Sequence, residues 1–181
     1  MRARSILDQV DATIKKREEA AEKISGSHEL LNEVMQYIFK HDEAYSLKAL
    51  TVIEVLGRRN FRCLHSYIPE LVLSGKLYTD SPSRRCLAKI FNFAINEHLN
   101  SGSNFHLNTS IRSEIIDLSF LWLVSAEQTA VKVFSMQNIY YLKNEREWIS
   151  EELKAILEKD IISSSAGYKS RAIKILRKLK Q

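Results

Sequence analysis

The sequence predicts an all-α fold in which pairs of helices repeat along the chain. Only 5 glycines and 2 prolines occur in 181 residues, so few residues interrupt helices. No stretch alternates polar and apolar residues with period two, so we predict no β-sheet. One short pattern, a small residue followed by an apolar one in an amphipathic segment, returns four times at intervals of roughly 40 residues. Its small residues are Ala49, Cys86, Ala130 and Ala172.

Repeats of this length built from helix pairs are typical of HEAT and armadillo proteins. We therefore predict an α-α superhelix, a HEAT/ARM-like solenoid of about nine helices, with one leader helix and four antiparallel pairs. The length suits a single domain, so residues 1–181 are predicted to form one solenoid domain.

Helices in the first half are predicted from apolar spacing and from start and stop residues. The leader has Ile14 on its apolar face, and Gly57 is predicted to stop the second helix of the first pair. Pro69 is predicted either to kink its helix or to mark the first turn. Ser81 is the predicted cap of the next helix, with Pro82 at its first position. The predicted bounds are about 5–24, 28–39, 43–56, 61–75 and 82–100.

The second half begins with the longest predicted loop, 101–108. The helix that opens at Thr109 or Ser110 is the most apolar of the chain, so we expect it to be covered on two sides. Capping boxes at 125–128 and 144–147 predict helices through about residues 142 and 157. A turn at 163–167 leads into the last, strongly cationic helix.

Composition excludes several protein classes. An apolar content of 45% excludes a disordered chain, and the absence of an 18-residue apolar run predicts no membrane span. The first residues are polar and lack a hydrophobic signal region, so we expect a cytoplasmic protein. A net charge of +5 permits an anionic partner without requiring one. The oligomeric state is left open.

Aligning the four copies predicts a row of cations on the second helices of the pairs. The position before the small residue and the position three residues further on lie on one helical face and avoid the apolar stripe. Thr51 and Ala88 share these positions, which are expected to face solvent on the concave side. The row could bind a phosphate backbone or an acidic protein segment, or it could pair with acids such as Asp42, Asp80, Glu127 or Asp160. Its members, with close neighbours, are Lys48, Arg84, Arg85, Lys89, Lys132, Arg171 and Lys174.

A second cationic cluster follows Gly57 and comprises Arg58, Arg59 and Arg62. Three arginines around a tight turn could hold an anion. The alternative is that these cations are attracted to the negative end of a helix dipole.

No sequence motif indicates catalysis or a cofactor. The five histidines are not spaced as zinc ligands, and the chain has neither a glycine-rich phosphate loop nor a Gly-x-Ser-x-Gly elbow. Trp122 and Trp148 are at helical spacing from apolar residues, which favours packing over base stacking. We predict no catalytic residue, no metal, no cofactor and no enzymatic activity.

Most of the chain from about residue 28 resembles a known family, most densely over residues 126–181. The segments 130–136, 152–160 and 166–172, together with the first two copies, are similar to short bacterial HEAT-like proteins that are often named adenylosuccinate lyase. The resemblance implies an α-α superhelix. It does not imply lyase activity, because the Met-Pro-x-Lys-x-Asn run of those enzymes is absent. More loosely, the predicted fold resembles HEAT-like DNA glycosylases of the alkylation-repair type, which cradle duplex DNA on a basic concave face.

Two functions are therefore open. The leading hypothesis is a non-enzymatic helical-repeat scaffold that binds a protein partner through its concave face. The alternative is a nucleic-acid-binding module that uses the cationic row, in which case affinity should fall steeply with salt.

Overall fold

The computed structural model describes residues 2–180, and within that range every regular element is a helix. The prediction of an all-α protein without a sheet is confirmed for this part of the chain. Three 3₁₀ segments, Phe61–Tyr67, Gly75–Leu77 and Lys143–Glu145, accompany ten α-helices. These helices are α1 Ala3–Leu7, α2 Ile14–Ser25, α3 His28–Phe39, α4 Ser46–Arg59, α5 Ile68–Ser74, α6 Ser81–Leu99, α7 Thr109–Val124, α8 Thr129–Tyr141, α9 Ile149–Asp160 and α10 Ala166–Leu179.

The predicted leader helix is in fact two helices, α1 and α2, so the prediction of one leader was wrong. The Asp11 carboxylate accepts hydrogen bonds from the Thr13 backbone N–H at 2.7 Å and from its hydroxyl at 2.6 Å. Thr13 in turn caps α2 by accepting from Lys16 N. Because this turn changes the helical register, Ile14 lies 53% exposed and leaves the apolar face to which we assigned it.

Gly57 does not stop α4, which continues through it to Arg59. The glycine is buried inside the helix, facing the side chains of Leu64 and Phe93. A Cβ at this position would lie 3.1 Å from Leu64 Cδ1 and 3.2 Å from Phe93 Cδ2. Glycine is therefore needed here for close packing and does not act as a C-cap.

Several predicted helix starts are corrected by the structure. Pro69 marks a first helical turn and does not kink a helix, since it lies in the first turn of α5 after a 3₁₀ segment. The cap of α6 is Asp80 in place of Ser81, because the Asp80 carboxylate accepts from Ser83 N at 2.8 Å. The predicted capping boxes do not form: α8 and α9 begin without a side-chain cap, and the Ser125 hydroxyl donates to Leu121 O instead.

The described chain forms two compact units, residues 2–94 (unit 1) and 95–180 (unit 2). In unit 1, α4 runs parallel to α6, since Glu54 contacts Lys89 and the later Gly57 lies against Phe93. Likewise α3 runs parallel to α5. Tyr67, before α5, donates to Asn32, and Tyr78, after α5, donates to the later Ile38 O. Equivalent helices of successive predicted pairs therefore lie side by side in the same direction.

Unit 2 shows the same arrangement for α8 and α10. The hydroxyl groups of Thr129 and Ser165, at the starts of the two helices, are 2.9 Å apart, and Arg171 donates to Gln137 further along. The apolar helix α7 contributes Trp122, which is fully buried as predicted. Trp148 is 46% exposed and so lies outside the core, but its ring packs against Phe120, with the ring centroids 5.4 Å apart.

The loop between α6 and α7, predicted at 101–108, is held at its end by His98. His98 Nδ1 accepts a hydrogen bond from Leu107 N at 3.3 Å, and the centroids of the His98 and His106 rings are 5.9 Å apart. Arg112 donates to Leu107 O and lies 2.8 Å from Glu145. Burial lowers the pKa of the His98 imidazole below its ordinary value, and the charges of Arg112 and His106 lower it further, while Glu145 raises it.

We expect acid to destabilise unit 2 through His98. Because the pKa of His98 is lower in the folded protein, the unfolded chain binds the proton more tightly. The stability that neutral His98 contributes to the folded state is therefore fully present above the unfolded pKa, near 6.5. That contribution is lost as pH falls toward the folded pKa, because protonated Nδ1 cannot accept from Leu107 N. Urea unfolding between pH 8 and pH 5 should show a weaker pH dependence in His98→Asn than in the unmodified protein. His28→Asn, at an exposed histidine, is the control, and equal slopes in all three proteins would contradict the role of His98.

Candidate partner-binding grooves

Two members of the predicted cationic row, Lys48 and Arg85, line one groove in unit 1. They occupy equivalent positions in the first and second copies of the repeated pattern. The groove has a volume of about 330 Å³ and lies among the α1–α2 turn, α4 and the start of α6. Arg17 of α2 adds a third cation. The structure thus brings together cations that are 31 or more residues apart in the sequence. We call this surface the unit 1 groove; its other lining residues are Val10, Asp11, Ala12, Leu47, Thr51 and Pro82.

The cations of the unit 1 groove are oriented by backbone and side-chain acceptors. Lys48 Nζ donates to Leu7 O at 3.1 Å, at the carboxyl end of α1, where a positive charge complements the helix dipole. Arg17 Nε donates to Asp11 O at 3.3 Å. These acceptors are uncharged carbonyl groups, so the positive charges of Lys48 and Arg17 are not neutralised by them.

Among residues 2–94, Asp11 is the only acidic residue that lines the unit 1 groove, and its carboxylate is hydrogen-bonded within the α1–α2 turn. The hydroxyl and the backbone N–H of Thr13 hydrogen-bond it and lower its pKa below the ordinary value, with smaller contributions from Lys16 and Arg17. Of the groove's apolar residues, Leu47 is 40% exposed and Val10 is buried, with Pro82 at the start of α6. The groove therefore combines cations with an apolar surface.

Sequence analysis did not identify Arg17 or Leu47. Arg17 lies in the charged run of the predicted leader, which gave no reason to single out one cation. Leu47 directly precedes Lys48 in the first copy, so an apolar residue beside a predicted binding cation was an available signal.

Arg85 and Lys89 also face Glu54, which the sequence analysis did not name as a partner. Glu54 is 8% exposed; Lys89 Nζ lies 2.5 Å and Arg85 Nη1 3.6 Å from its carboxylate. Burial raises the pKa of the adjacent Cys86 thiol to about 12, and the Glu54 carboxylate also raises it. The ionic-pairing alternative therefore holds for these two cations, although the acid is Glu54 in place of those we suggested.

Arg84, Thr51 and Ala88 are the other unit 1 positions named with the predicted cationic row, and none of them is exposed. Arg84 donates to Tyr78 O at 2.8 Å, which holds the segment before α6. Thr51 and Ala88 are buried, with 7% and 0% exposure, so the expectation that their positions face solvent was wrong. Ala88 lies between the buried residues 86–87 and 90–91 of α6, and the Thr51 hydroxyl donates to Lys48 O at 2.8 Å within α4 and so needs no contact with solvent.

The arginine cluster after Gly57 does not surround a tight turn. Arg58 and Arg59 form the last turn of α4, and both guanidinium groups approach one carboxylate oxygen of Glu18, at 3.2 and 3.1 Å. Arg62 is exposed in the following 3₁₀ segment. Two of the three arginines thus already share an acid, which weakens the case for an anion at this position.

In unit 2 the last copy contributes Arg171 and Lys174 to a separate groove between α8 and α10, which we call the unit 2 groove. Its volume is about 270 Å³. Lys132 of α8 is half-buried and does not line it. The other lining residues are Gln137, Tyr140, Ile175, Arg177 and Lys178.

Residues 2–180 contain no group of three or more His, Cys, Asp or Glu side chains placed to hold a metal ion. None of the helices described is both long and apolar enough to cross a membrane. The sequence matches no protein-family model, and neither the curated proteins nor the solved structures contain a significant match to it.

Proposed function

We propose that this chain is a non-catalytic, HEAT-like helical-repeat scaffold that binds a protein partner. On unit 1, the partner contact is the unit 1 groove, and its occupant is an acidic segment that also carries apolar side chains. The observation that carries the proposal is the meeting of Lys48 and Arg85, equivalent residues of consecutive copies, beside the exposed Leu47.

The directions of the helices support the HEAT-like assignment. In stacked helix pairs, each helix packs beside its equivalent in the next pair, and the two run in the same direction. The parallel neighbours α4 and α6, α3 and α5, and α8 and α10 follow that rule within their units. The repeat interval of roughly 40 residues agrees with it.

The chemistry of the unit 1 groove favours a peptide segment with carboxylates. Three cations line this space, and its one acid among the described residues, Asp11, is already hydrogen-bonded by Thr13. Lys48 and Arg17 donate only to backbone carbonyl groups, while Arg85 also pairs with Glu54. Carboxylates form charge-assisted hydrogen bonds with arginine and lysine. Leu47 and Pro82 offer apolar contacts, which a bare phosphate would not use. At about 330 Å³ the groove is near the lower end of ligand pockets, so it suits a few side chains of a segment.

We expect an acidic amphipathic peptide to bind this groove and the Leu47→Asp substitution to weaken that binding. The probe is a fluorescein-labelled 12-residue peptide that repeats Glu-Glu-Leu. Its binding is followed by anisotropy and by the backbone amide resonances of the protein. Leu47→Asp removes an exposed apolar contact and adds a repelling charge, so affinity should fall at least about fivefold. Amide shifts should centre on Val10, Leu47 and Arg85.

Leu73→Asp is the matched control, because Leu73 is also an exposed leucine of unit 1 (54%) and does not line the groove. It should leave the affinity unchanged. A peptide that repeats Lys-Lys-Leu should not bind. The proposal fails if the acidic peptide does not bind, or if both leucine variants lower the affinity equally.

A further inference from the structure

The unit 2 groove is strongly cationic, and no acidic side chain lines it among residues 95–180. Four cations of α10 line it, and the α8 side contributes the neutral Gln137 and Tyr140. This differs from the α4–α6 contact of unit 1, where Glu54 faces two cations. The cations that line the unit 2 groove are Arg171, Lys174, Arg177 and Lys178.

The contacts within the unit 2 groove orient its cations without neutralising them. Arg171 Nη1 donates to the amide oxygen Gln137 Oε1 at 2.7 Å. An amide carries no net charge, so the guanidinium keeps its full positive charge and its other donors. Lys178 Nζ lies 5.8 Å from the centre of the Tyr140 ring, a weak cation–π contact. Lys174 and Arg177 are exposed.

The spacing of these cations suits a polymer with regularly placed charges. Arg171, Lys174 and Lys178 follow each other at intervals of three and four residues, so they lie along one face of α10. At 1.5 Å per residue, the row extends over roughly 10 Å, long enough to contact more than one phosphate of a strand. Tyr140 lies beside the row and presents an aromatic ring.

We infer that the unit 2 groove binds single-stranded nucleic acid, with backbone phosphates on the α10 cations and a base against Tyr140. Grooves that bind single strands combine a cationic track with an aromatic ring on which a base stacks. A duplex would use the cations but leave its bases out of reach of Tyr140. An acidic amphipathic peptide would lack an aliphatic contact, because Ile175, the one aliphatic residue among those described as lining the groove, is 2% exposed. The unit 2 groove and the unit 1 groove have no lining residue in common, so this inference does not depend on the proposal that unit 1 binds a peptide.

The test is fluorescence anisotropy of a labelled 12-nucleotide oligo(dT) with the whole protein between 50 and 200 mM NaCl. We expect log affinity to fall linearly with log salt, with a slope near −0.7 for each phosphate contacted. Lys174→Glu should weaken binding about fivefold or more and reduce the magnitude of the slope. Lys174 is exposed, so this variant should fold normally. Lys159→Glu makes the same charge change at an exposed residue of α9 and should leave binding nearly unchanged.

Two further measurements separate a single strand from other polyanions. Tyr140→Leu should weaken oligo(dT) binding several-fold while the salt slope stays the same, because stacking is lost and the phosphate contacts remain. A duplex of equal length and polyglutamate of equal charge should compete poorly. The inference is overturned if oligo(dT) does not bind at 50 mM salt, if the two lysine variants behave alike, or if duplex or polyglutamate competes as well as the single strand. Unchanged affinity in a folded Tyr140→Leu variant would likewise overturn it.

Discussion

Replacing Glu54 with alanine is expected to lower the free energy of unfolding by about 2–4 kcal/mol. Glu54 is 8% exposed and faces both Lys89 and Arg85, whose side chains are only 22% and 30% exposed. Removing the carboxylate leaves two partly buried cations side by side without the acid that compensates them, and it also leaves a cavity between α4 and α6. Urea unfolding followed by far-UV circular dichroism measures the loss.

Glu18→Ala is the matched control for this prediction. Glu18 also pairs with two cations, Arg58 and Arg59, but on the surface, where such pairs contribute about 0–1 kcal/mol. In 1 M NaCl the small effect of Glu18→Ala should vanish, while that of Glu54→Ala should persist, because salt screens exposed charges far more than buried ones. Equal losses of unfolding free energy in the two variants would contradict the prediction that Glu54 compensates the charges of Lys89 and Arg85.

Replacing Gly57 with valine is expected to cost about 1–3 kcal/mol of unfolding free energy. Even a Cβ would approach Leu64 Cδ1 to 3.1 Å and Phe93 Cδ2 to 3.2 Å, and valine adds two methyl groups beyond it. The glycine lies within a helix, where valine has the better intrinsic propensity. A measured loss of unfolding free energy would therefore come from steric overlap with Leu64 and Phe93 and not from a change in helix propensity.

Gly26→Val is the control for Gly57→Val. A Cβ at Gly26 meets nothing closer than Lys23 O at 3.7 Å, and the residue is exposed at the end of α2. Its substitution should change the unfolding free energy by no more than about 0.5 kcal/mol. If Gly57→Val were as stable as the unmodified protein, the close approach between α4, Leu64 and Phe93 would not be a packing constraint.

The cations that the repeated pattern makes equivalent have different surroundings in the structure. Arg85 and Lys89 pair with Glu54, and Lys48 holds the end of α1. Lys174, by contrast, is exposed at the unit 2 groove. We therefore expect charge reversal at Arg85 to lower stability as well as peptide binding, and charge reversal at Lys174 to lower binding at the unit 2 groove without a loss of stability. Measuring both properties for each variant would separate the two roles.

Helices were predicted well where apolar residues recur at helical spacing and no local signal competes. The predicted bounds 28–39 for α3 agree with the structure, and the helix starting at Thr109 follows an Asn108 cap that accepts from Ile111 N. Prediction was poorer where local signals compete. Asp11 and Thr13 break the leader by side-chain hydrogen bonds to nearby backbone. The capping boxes predicted at 125–128 and 144–147 do not form.

The sequence by itself determined the all-α class, the positions of most helices and the identity of the cations at equivalent places in the repeat. These follow from local properties, namely helical periodicity, scarce glycine and proline, and residue type. Only the tertiary structure decided that Gly57 serves packing, that Glu54 compensates Arg85 and Lys89, and that Arg17 and Leu47 join Lys48 in one groove. Contacts of this kind join residues far apart in the chain. They depend on distances between helix faces, which no local pattern specifies.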